Sequence, residues 1–468
     1  MFKKYKKIHF AGAGGIGISA LAKWAILNGV KVSGSDVSQS EITDELVRMG
    51  AKIFIGQDKN NVPEDAELLI YSDAVPKNNP ERALDLPQKS YFEMLGEISR
   101  VKKTIAVSGT NGKSTTTAML GKILIDAGYD PTVIVGSKIK DFKYGNFHPG
   151  EGEWFVVEAC EHNAHMLNLA PEYIVLTNIE SDHLDFYKNL ENILRHFSEY
   201  VSRIPQSGFL IYNADDANTA KLSTIGSPTS DSRRITYGAG TADFRFEDRF
   251  IDNGKQSFKV FTEKNLEVEI TLNVPGLFNV YNAMAAASCA FSLGVPFDKI
   301  AKSLAEFSGL WRRFERVGEY KGAPVISDYG HHPTAIAGTI LAAREFYPEH
   351  RVVLAFEPHQ HHRTKALFAD FVRSFDDAEV VILSEIYKVE GRVEESHKDI
   401  SSKKLAEAIV KYWESGEDDK RERQMIYCEN LDETEQALRK AVKKKDVVVI
   451  MGAGDVDGVA RRLCKKIK

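Results

Sequence analysis

Residues 104–115 read Thr-Ile-Ala-Val-Ser-Gly-Thr-Asn-Gly-Lys-Ser-Thr, a buried-strand pattern followed at once by a glycine-rich turn. After the turn, apolar side chains recur on one helical face from Leu120 to Ala127, and Gly128 marks the end of that helix. A strand, a glycine turn and a helix in this order place backbone N–H groups and a helix N-terminus around an anion. The stretch therefore predicts an α/β domain with a phosphate-binding loop.

The loop keeps the Gly-Lys-Ser core of a P-loop, but Val107 stands where the strict motif has a glycine. It is a shorter variant, and a chance Gly-Lys-Ser is the weaker alternative because a strand and a helix flank it. We expect Lys113 to reach the terminal phosphates and the hydroxyl of Ser114 to ligate magnesium. The predicted ATP-binding residues of the loop are Gly109, Thr110, Asn111, Gly112, Lys113, Ser114 and Thr115.

A second glycine turn lies near the N-terminus. Residues 12–17, Gly-Ala-Gly-Gly-Ile-Gly, fit the pattern GxGxxG and fall between a predicted strand and a predicted helix. Asp36 closes the next strand, where an acidic residue can accept a hydrogen bond from a ribose hydroxyl. The pattern predicts a bound nucleoside diphosphate, of which NAD is one candidate among several. With two such turns, one nucleotide supplies phosphate and the other is expected to be part of the substrate.

Length and composition narrow the class of protein. The 468 residues favour two to four domains, and 43% apolar with 27% charged residues is typical of a globular chain. The formal net charge of -5 gives no support for general binding to nucleic acid or a membrane surface. The four cysteines form no CxxC pair, no apolar run is long enough to span a bilayer, and no secretory signal is present. We therefore expect a cytoplasmic enzyme.

The chain divides into three predicted domains. Strand and helix patterns alternate in residues 1–102 and again in residues 311–468, which favours parallel sheets flanked by helices. The central region, residues 103–310, holds the P-loop and a β-rich stretch at 233–274. The predicted fold is α/β, with Rossmann-like N-terminal and C-terminal domains around a P-loop ATPase domain. The charged run at 414–423 is expected to be a solvated loop.

Over essentially its whole length the chain resembles the Mur ligases, the ATP-dependent ligases of peptidoglycan precursor synthesis. The resemblance is strongest to the branch that joins L-alanine to the lactyl carboxylate of UDP-N-acetylmuramate. Each motif is weak alone, but their order and spacing together are specific. The motifs are GAGGIGISALA, GTNGKSTT, EACE, TNIESDHLD, FNVYNAMAA, WRRFE, SDYGHHPT, EPHQHHRTK and MGAGD.

The resemblance implies a UDP-sugar site in the first domain, an ATP and magnesium site in the second, and an amino-acid site in the third. Implied contacts to the UDP diphosphate are Gly12, Gly14, Gly15, Ile16 and Gly17, with Asp36 and Ser72 near the uridine. Implied magnesium ligands are Ser114, Glu158 and His183.

The same resemblance implies further ATP contacts, namely Asn279 and Asn282 near adenine and ribose, Arg313 towards the phosphates and Asp328 at the ribose. Tyr329, His331 and Arg363 are implied to line the amino-acid pocket. Of these, Arg363 is suited to a carboxylate because a guanidinium forms paired, planar hydrogen bonds with it. His331 is a candidate to orient or deprotonate the amine.

The chain departs from the alanine-adding pattern at four places, of which Gln360 leaves the identity of the acceptor open. Asn111 and Phe278 each replace a frequent histidine, and Gln360 replaces a second arginine of some members. The segment EACEHNAHM also differs from the commoner EADESD. The alternatives are a Mur ligase that accepts glycine, serine or a recycled tripeptide, an NAD-dependent oxidoreductase, and a non-catalytic ATP switch. A monomer and a homodimer are both compatible with the sequence.

Overall fold

The computed structural model contains three β-sheets with flanking helices, and each sheet is formed by one continuous part of the chain. It describes residues 2–225, 233–262, 267–387, 399–415 and 422–465. Most of the charged run predicted as a loop at 414–423 lies outside these residues, although 414 and 415 end a helix. In the described part, no helix is long and apolar enough to cross a membrane.

The first sheet has five parallel strands in the order β3-β2-β1-β4-β5. From β1 the chain builds the sheet first towards β3 and then, from β4, towards the other edge, so the strand order reverses between β1 and β4. In open α/β sheets, ligands bind at such a point, beyond the carboxyl ends of the strands. The first glycine turn follows β1 at this position. The elements are β1 Lys7–Ala11, α1 Ile16–Leu27, β2 Lys31–Asp36, α2 Glu41–Arg48, β3 Lys52–Ile55, β4 Leu68–Tyr71, β5 Gln88–Ser90 and α3 Tyr91–Ser99.

The second sheet has ten strands in the order β15-β14-β13-β12-β11-β10-β6-β9-β7-β8. Its parallel centre is extended by an antiparallel pair, β14 and β15, at one end and by β8 at the other. The elements are β6 Lys103–Ser108, α4 Lys113–Asp126, β7 Thr132–Ile134, β8 Phe147–Pro149, β9 Trp154–Glu158, β10 Tyr173–Leu176, α5 Leu184–Tyr187, α6 Leu190–Val201, β11 Phe209–Asn213, α7 Ala217–Ile225, β12 Arg233–Gly238, β13 Phe244–Asp252, β14 Lys255–Thr262, β15 Glu267–Leu272, α8 Leu277–Ser292 and α9 Phe297–Glu306.

The third sheet has six strands in the order β16-β17-β21-β18-β19-β20, and only β16 is antiparallel to its neighbour. The elements are β16 Glu315–Tyr320, β17 Ala323–Asp328, α10 Pro333–Phe346, β18 Arg351–Phe356, α11 His361–Ala366, α12 Phe368–Arg373, β19 Val380–Ser384, α13 Ser402–Ser415, β20 Gln424–Cys428, α14 Leu431–Ala441, β21 Asp446–Met451 and α15 Asp457–Cys464.

The central strands are buried on both faces, which explains their continuous apolar sequences. Every residue of β6 after its first is buried, as is every residue of β21. Strands covered by helices on both sides lose the alternation of apolar and polar residues. The predicted three-domain α/β fold is confirmed. The helices that follow the two glycine turns begin at Ile16 and at Lys113.

The first sheet is attached to the second by a buried polar cluster. The ammonium of Lys23 on α1 donates to the carbonyl of Tyr144 at 3.0 Å and to Oδ1 of Asn146 at 2.9 Å. The Asn146 amide nitrogen donates in turn to the carbonyl of Ile16 and to the hydroxyl of Ser19. Burial lowers the pKa of Lys23, so this ammonium depends on its partners. The cluster fixes the N-terminus of α1 against the second sheet.

We predict that Asn146→Ala weakens this attachment. The substitution removes one hydrogen bond of the buried Lys23 ammonium and the two that the Asn146 amide donates to α1. Each such hydrogen bond contributes about 0.5–1.5 kcal/mol, and one to a charged group about 1.5–3 kcal/mol. The midpoint of thermal unfolding should fall by several degrees, measured by circular dichroism or calorimetry. The exposed Asn60 provides a control, because Asn60→Ala removes no described side-chain hydrogen bond. Equal midpoints for the two variants would contradict the role of the cluster.

Candidate functional site

The three sheets meet around a cavity of about 930 Å³. The second sheet contributes the glycine loop after β6 and the third contributes residues after β17 and β18. From the first sheet's part of the chain, Ile16 at the start of α1 reaches the same cavity. One space is therefore bordered by the starts of two helices, and helix starts favour anions.

The backbone of the loop after β6 follows a path that requires glycine. Gly109 and Gly112 have φ of +132° and +85°. A Cβ atom on Gly109 would lie 2.2 Å from Oγ1 of Thr177, and one on Gly112 would lie 2.2 Å from Oδ1 of Asn282. Both positions combine left-handed φ with close packing, so no other residue fits without displacement.

The strand next to β6 holds this loop in place. Thr110 N–H donates to the carbonyl of Asn178 at 2.9 Å, and Asn111 N–H donates to the Asn178 side chain at 2.9 Å. The hydroxyl of Thr177 donates to the carbonyl of Asn111 at 2.6 Å. Thr177 and Asn178 directly follow β10, which pairs with β6. The shape of the loop thus depends on sheet pairing as well as on its glycines.

Lys113, the lysine of the loop, is paired with a carboxylate. Its ammonium donates to the carbonyl of Gly109 at 2.6 Å and to Oε1 of Glu161 at 3.0 Å, and it lies 2.8 Å from Oε2. Burial opposes both charges, but each stabilises the other. As a result the pKa of Lys113 is raised and the pKa of Glu161 is lowered. Both groups are therefore charged at neutral pH.

Two oxygen side chains beside the loop are suited to a divalent cation. The hydroxyl of Ser114 donates to Oε2 of Glu158 at 3.0 Å, and the N–H of Gly136 donates to Oε1. Burial raises the pKa of Glu158, so a cation bound there would stabilise its charged form. Oxygen ligands of this kind fit magnesium. The structure brings together two of the three predicted metal ligands.

The third predicted ligand, His183, contacts a different carboxylate. Its Nε2 lies 3.6 Å from Oε1 of Glu161 and 3.8 Å from Oδ2 of Asp182. No group of three or more His, Cys, Asp or Glu residues arranged for a metal occurs in the described ranges. A role for His183 at the metal therefore stays a prediction.

The two asparagines of α8 are buried beside the loop. Asn282 Nδ2 donates to Oδ1 of Asn279 at 3.1 Å, and Asn279 Nδ2 donates to the carbonyl of Pro275 at 2.6 Å. Oδ1 of Asn282 accepts from Thr116 at 3.3 Å. Both asparagines line the cavity, and their described hydrogen bonds position the Asn282 side chain against the loop. Their contact with adenine and ribose stays a prediction.

Asp328 and Arg313, predicted to contact ATP from the third sheet, both line the cavity. Asp328 ends β17 and accepts from the N–H groups of Phe314 at 2.7 Å and Gly330 at 2.6 Å. Its carboxyl therefore holds the linker that enters the third sheet, and burial raises its pKa. The guanidinium of Arg313 lies 5.0 Å from the ring centre of Tyr329.

The residues predicted for the amino-acid pocket, Tyr329, His331 and Arg363, also line the cavity. His331 Nδ1 lies 3.1 Å from the carbonyl of Tyr329, to which its N–H donates. Burial, and then the charge of Arg363, hold the pKa of His331 well below its usual value, so the ring is neutral. Arg363 itself donates from Nε and Nη2 to Oδ1 of Asp182 at 3.1 and 3.0 Å. This ion pair joins the second and third sheets.

The first glycine turn lies next to the cavity, to which it contributes Ile16. A Cβ on Gly14 would lie 2.8 Å from Asp36, and one on Gly17 would lie 2.8 Å from the Tyr91 ring. Oδ2 of Asp36 accepts from the Gly14 N–H at 2.8 Å, so this carboxylate shapes the turn. Helix α1 begins without a side-chain cap, which leaves its first N–H groups available to an anion.

Comparison with known families agrees with this arrangement. Three family models match in succession: "Mur ligase family, catalytic domain" over residues 7–103, "Mur ligase middle domain" over 107–290 and "Mur ligase, glutamate ligase domain" over 312–454. A relative from Clostridium novyi, named UDP-N-acetylmuramate–L-alanine ligase, is 39% identical, with 96% of this chain and 95% of that protein covered. The chain belongs to the Mur ligase family.

Other members of the Mur ligase family match along the whole chain. An Aquifex aeolicus protein named UDP-N-acetylmuramate–L-alanine ligase is 38% identical, with 99% of this chain and 98% of that protein covered. The crystal structure of UDP-N-acetylmuramate–alanine ligase from Thermotoga maritima is 28% identical, has a TM-score of 0.81 and covers 98% of both chains. A murein peptide ligase from Psychrobacter arcticus shares the fold, with a TM-score of 0.71 at 24% identity.

The structure of this Mur ligase brings most of the predicted residues to one cavity. Predicted residues outside the cavity lining are Gly12, Gly14, Gly15, Gly17, Asp36, Ser72 and Gly109. Sequence reasoning missed Glu161 and Asp182, which pair with Lys113 and Arg363. Both lie inside quoted motifs, as the last letter of EACE and as the residue before His183. In the sequence, the acidic side chains of these two residues were the signal that they could pair with basic residues.

We predict that Gly112→Ala lowers ATP affinity at least about tenfold, because the added methyl group displaces the loop or Asn282 (about 1.4 kcal/mol per tenfold). Gly128 provides a matched control, since its φ of +87° is similar but no atom lies within 4 Å of an added Cβ. Isothermal titration of both variants with ATP measures the difference. A similar loss of affinity in Gly128→Ala would show that backbone strain alone is responsible.

Proposed function

We propose that this Mur ligase uses ATP to join L-alanine to the lactyl carboxylate of UDP-N-acetylmuramate. One observation carries the proposal. A single cavity is bordered by the start of α1, by the P-loop variant and by Arg363. The start of α1 suits a nucleotide diphosphate, and the P-loop variant suits ATP. Arg363 suits a carboxylate. The names of the full-length relatives support the same substrates.

The reaction has two steps in this proposal. An oxygen of the lactyl carboxylate attacks the γ-phosphorus of ATP, the bond to the β-phosphate oxygen breaks, and ADP leaves. The free amine of alanine then attacks the carbonyl carbon of the acyl phosphate. Phosphate leaves with the bonding electrons and the nitrogen loses a proton, which leaves an amide. Both steps bring anions together, so positioning and charge neutralisation supply most of the catalysis.

In the middle domain, the loop and Lys113 bind the phosphates of ATP. The uncapped start of α4 supplies N–H groups, and Lys113 exchanges part of its contact with Glu161 for the γ-phosphate. Asn279 and Asn282 contact adenine and ribose, while Arg313 and Asp328 contact ATP from the third sheet. Their positions around the cavity support this assignment.

Ser114 and Glu158 would hold magnesium, with His183 as a further candidate ligand. The close approach of the hydroxyl and carboxylate is the observation that fits a hard cation. When bound, the ion would neutralise phosphate charge and help to align the γ-phosphate.

The uridine diphosphate binds at the first glycine turn. Its diphosphate contacts the backbone of Gly12, Gly14, Gly15, Ile16 and Gly17, while Asp36 and Ser72 lie on the uridine side. The N–H groups of Gly12, Gly14 and Gly15 donate within the protein, so Ile16 and Gly17 at the uncapped start of α1 supply the N–H donors. Because Ile16 also borders the cavity, a muramyl group attached to this diphosphate extends towards the P-loop. ATP and nucleotide sugars are intracellular metabolites, so we place the enzyme in the cytoplasm.

We predict that the protein converts UDP-N-acetylmuramate, ATP and L-alanine to a product heavier by one alanyl residue, with release of ADP and phosphate. Separate incubations with alanine, glycine, serine and L-alanyl-γ-D-glutamyl-meso-diaminopimelate, analysed by mass spectrometry, identify the acceptor. Reactions without magnesium or without an acceptor are the controls. A product only with the tripeptide would overturn the assignment to alanine.

We predict that Lys113→Ala reduces turnover at least about a thousandfold, because a buried charge that neutralises the transferring phosphate is lost (about 4 kcal/mol at 1.4 kcal/mol per tenfold). UDP-N-acetylmuramate should bind with unchanged affinity, since its diphosphate contacts a different sheet. Steady-state kinetics and calorimetry measure the two quantities. Loss of UDP-sugar binding in the variant would contradict separate sites. The exposed Lys143, changed to Ala, is the control.

A further inference from the structure

The ion pair between Arg363 and Asp182 lies on the cavity wall where the second and third sheets face each other. Both side chains are nearly buried, with relative exposures of 7% and 12%. A buried ion pair of this kind is costly to break on one side only, because the partner left behind is an uncompensated charge. Whatever binds to one member of the pair must therefore also satisfy the other.

The guanidinium of Arg363 uses only part of its capacity in this pair. Nε and Nη2, which form one planar edge, both donate to the same oxygen, Oδ1 of Asp182. An ideal carboxylate partner places its two oxygens side by side against that edge. Arg363 Nη1 is directed to His359, whose carbonyl is 3.4 Å away. The edge that faces Asp182 can therefore accept a better-aligned carboxylate.

Asp182 also has unused capacity. Its Oδ1 accepts from the His183 N–H at 2.7 Å as well as from Arg363. Its Oδ2 accepts no hydrogen bond within the described part of the chain, and His183 Nε2 is 3.8 Å from it. The carboxyl forms an ion pair with the Arg363 guanidinium, whose Nη2 is 3.0 Å from Oδ1. An ionised, nearly buried oxygen without a donor is a site for a cation.

We propose that the amino-acid substrate inserts as a zwitterion between these two side chains. Its α-carboxylate binds Arg363 and its α-ammonium binds Asp182. The insertion replaces one ion pair by two and leaves no buried charge unpaired, whereas a simple carboxylate on Arg363 would leave Asp182 without a partner. The inference rests on the proposed function and adds Asp182 as a substrate-binding residue that selects α-amino acids.

The groups around the pair are consistent with this assignment. His331 faces Arg363 and Asp182 as a neutral ring whose Nδ1 is occupied by the Tyr329 carbonyl. Its Nε2 is then an acceptor, available for the proton that the ammonium must lose before it attacks. Because Asp182 follows β10 and Arg363 lies on α11, the zwitterion contacts parts of the chain from both the second and the third sheet.

The test compares alanine with propionate, which has the carboxylate but no ammonium. In Asp182→Asn, we expect the KM for alanine to rise about tenfold to a hundredfold, as for the loss of a charge-assisted hydrogen bond. Propionate should become a stronger competitive inhibitor, with a Ki at least about threefold lower, because Arg363 is freed from its anionic partner. Opposite changes in the two constants are the expected result.

Other outcomes would overturn the proposal. If alanine and propionate both bind more tightly to Asp182→Asn, Asp182 only competes for Arg363. If both bind more weakly, or neither changes, Asp182 only supports the fold of the pocket. Asp185→Asn is the matched control, because Asp185 is an exposed acid of the same motif that does not line the large cavity. Alanine-dependent product formation by the unchanged protein separately tests the proposed function.

Discussion

The backbone of the loop at 109–112 is the constraint on which the rest of the site depends. Two glycines with left-handed φ bring the loop within contact distance of Thr177 and Asn282. The loop therefore keeps its shape only while β6, β10 and α8 keep their relative positions. A phosphate site of this kind belongs to the packing of a whole sheet, because its N–H groups are aligned by neighbours on two sides.

The second feature of the site is the pairing of its buried charges. Lys113 contacts Glu161, and Arg363 contacts Asp182, so two of the cations expected to bind anionic substrate groups already have a carboxylate partner. The pair with Glu161 raises the pKa of Lys113 against the effect of burial. A substrate anion that binds one of these cations displaces its carboxylate partner. Ligands that also carry a group for the displaced carboxylate are therefore favoured. This logic explains why acids of the motifs EACE and SDHLD lie beside the basic residues.

The three sheets are joined by polar contacts at their borders. The cluster around Lys23 fixes the first sheet to the second, while the ion pair of Arg363 and the hydrogen bond from Thr334 to Glu180 at 3.0 Å join the second to the third. The cluster around Lys23 is buried beside the start of α1, and the contacts between the second and third sheets form part of the cavity wall.

The sequence by itself determined the α/β class, the two glycine turns, Lys113, Ser114 and the family, because strand–turn–helix patterns and ordered motifs are local properties of the chain. It also indicated Glu158 and Arg363, through motifs. Only the tertiary structure decided which side chains face one another. Glu161 is 48 residues from Lys113 and Asp182 is 181 residues from Arg363. Pairings of this kind depend on strand order and on the approach of separate sheets, for which a single sequence contains no local signal.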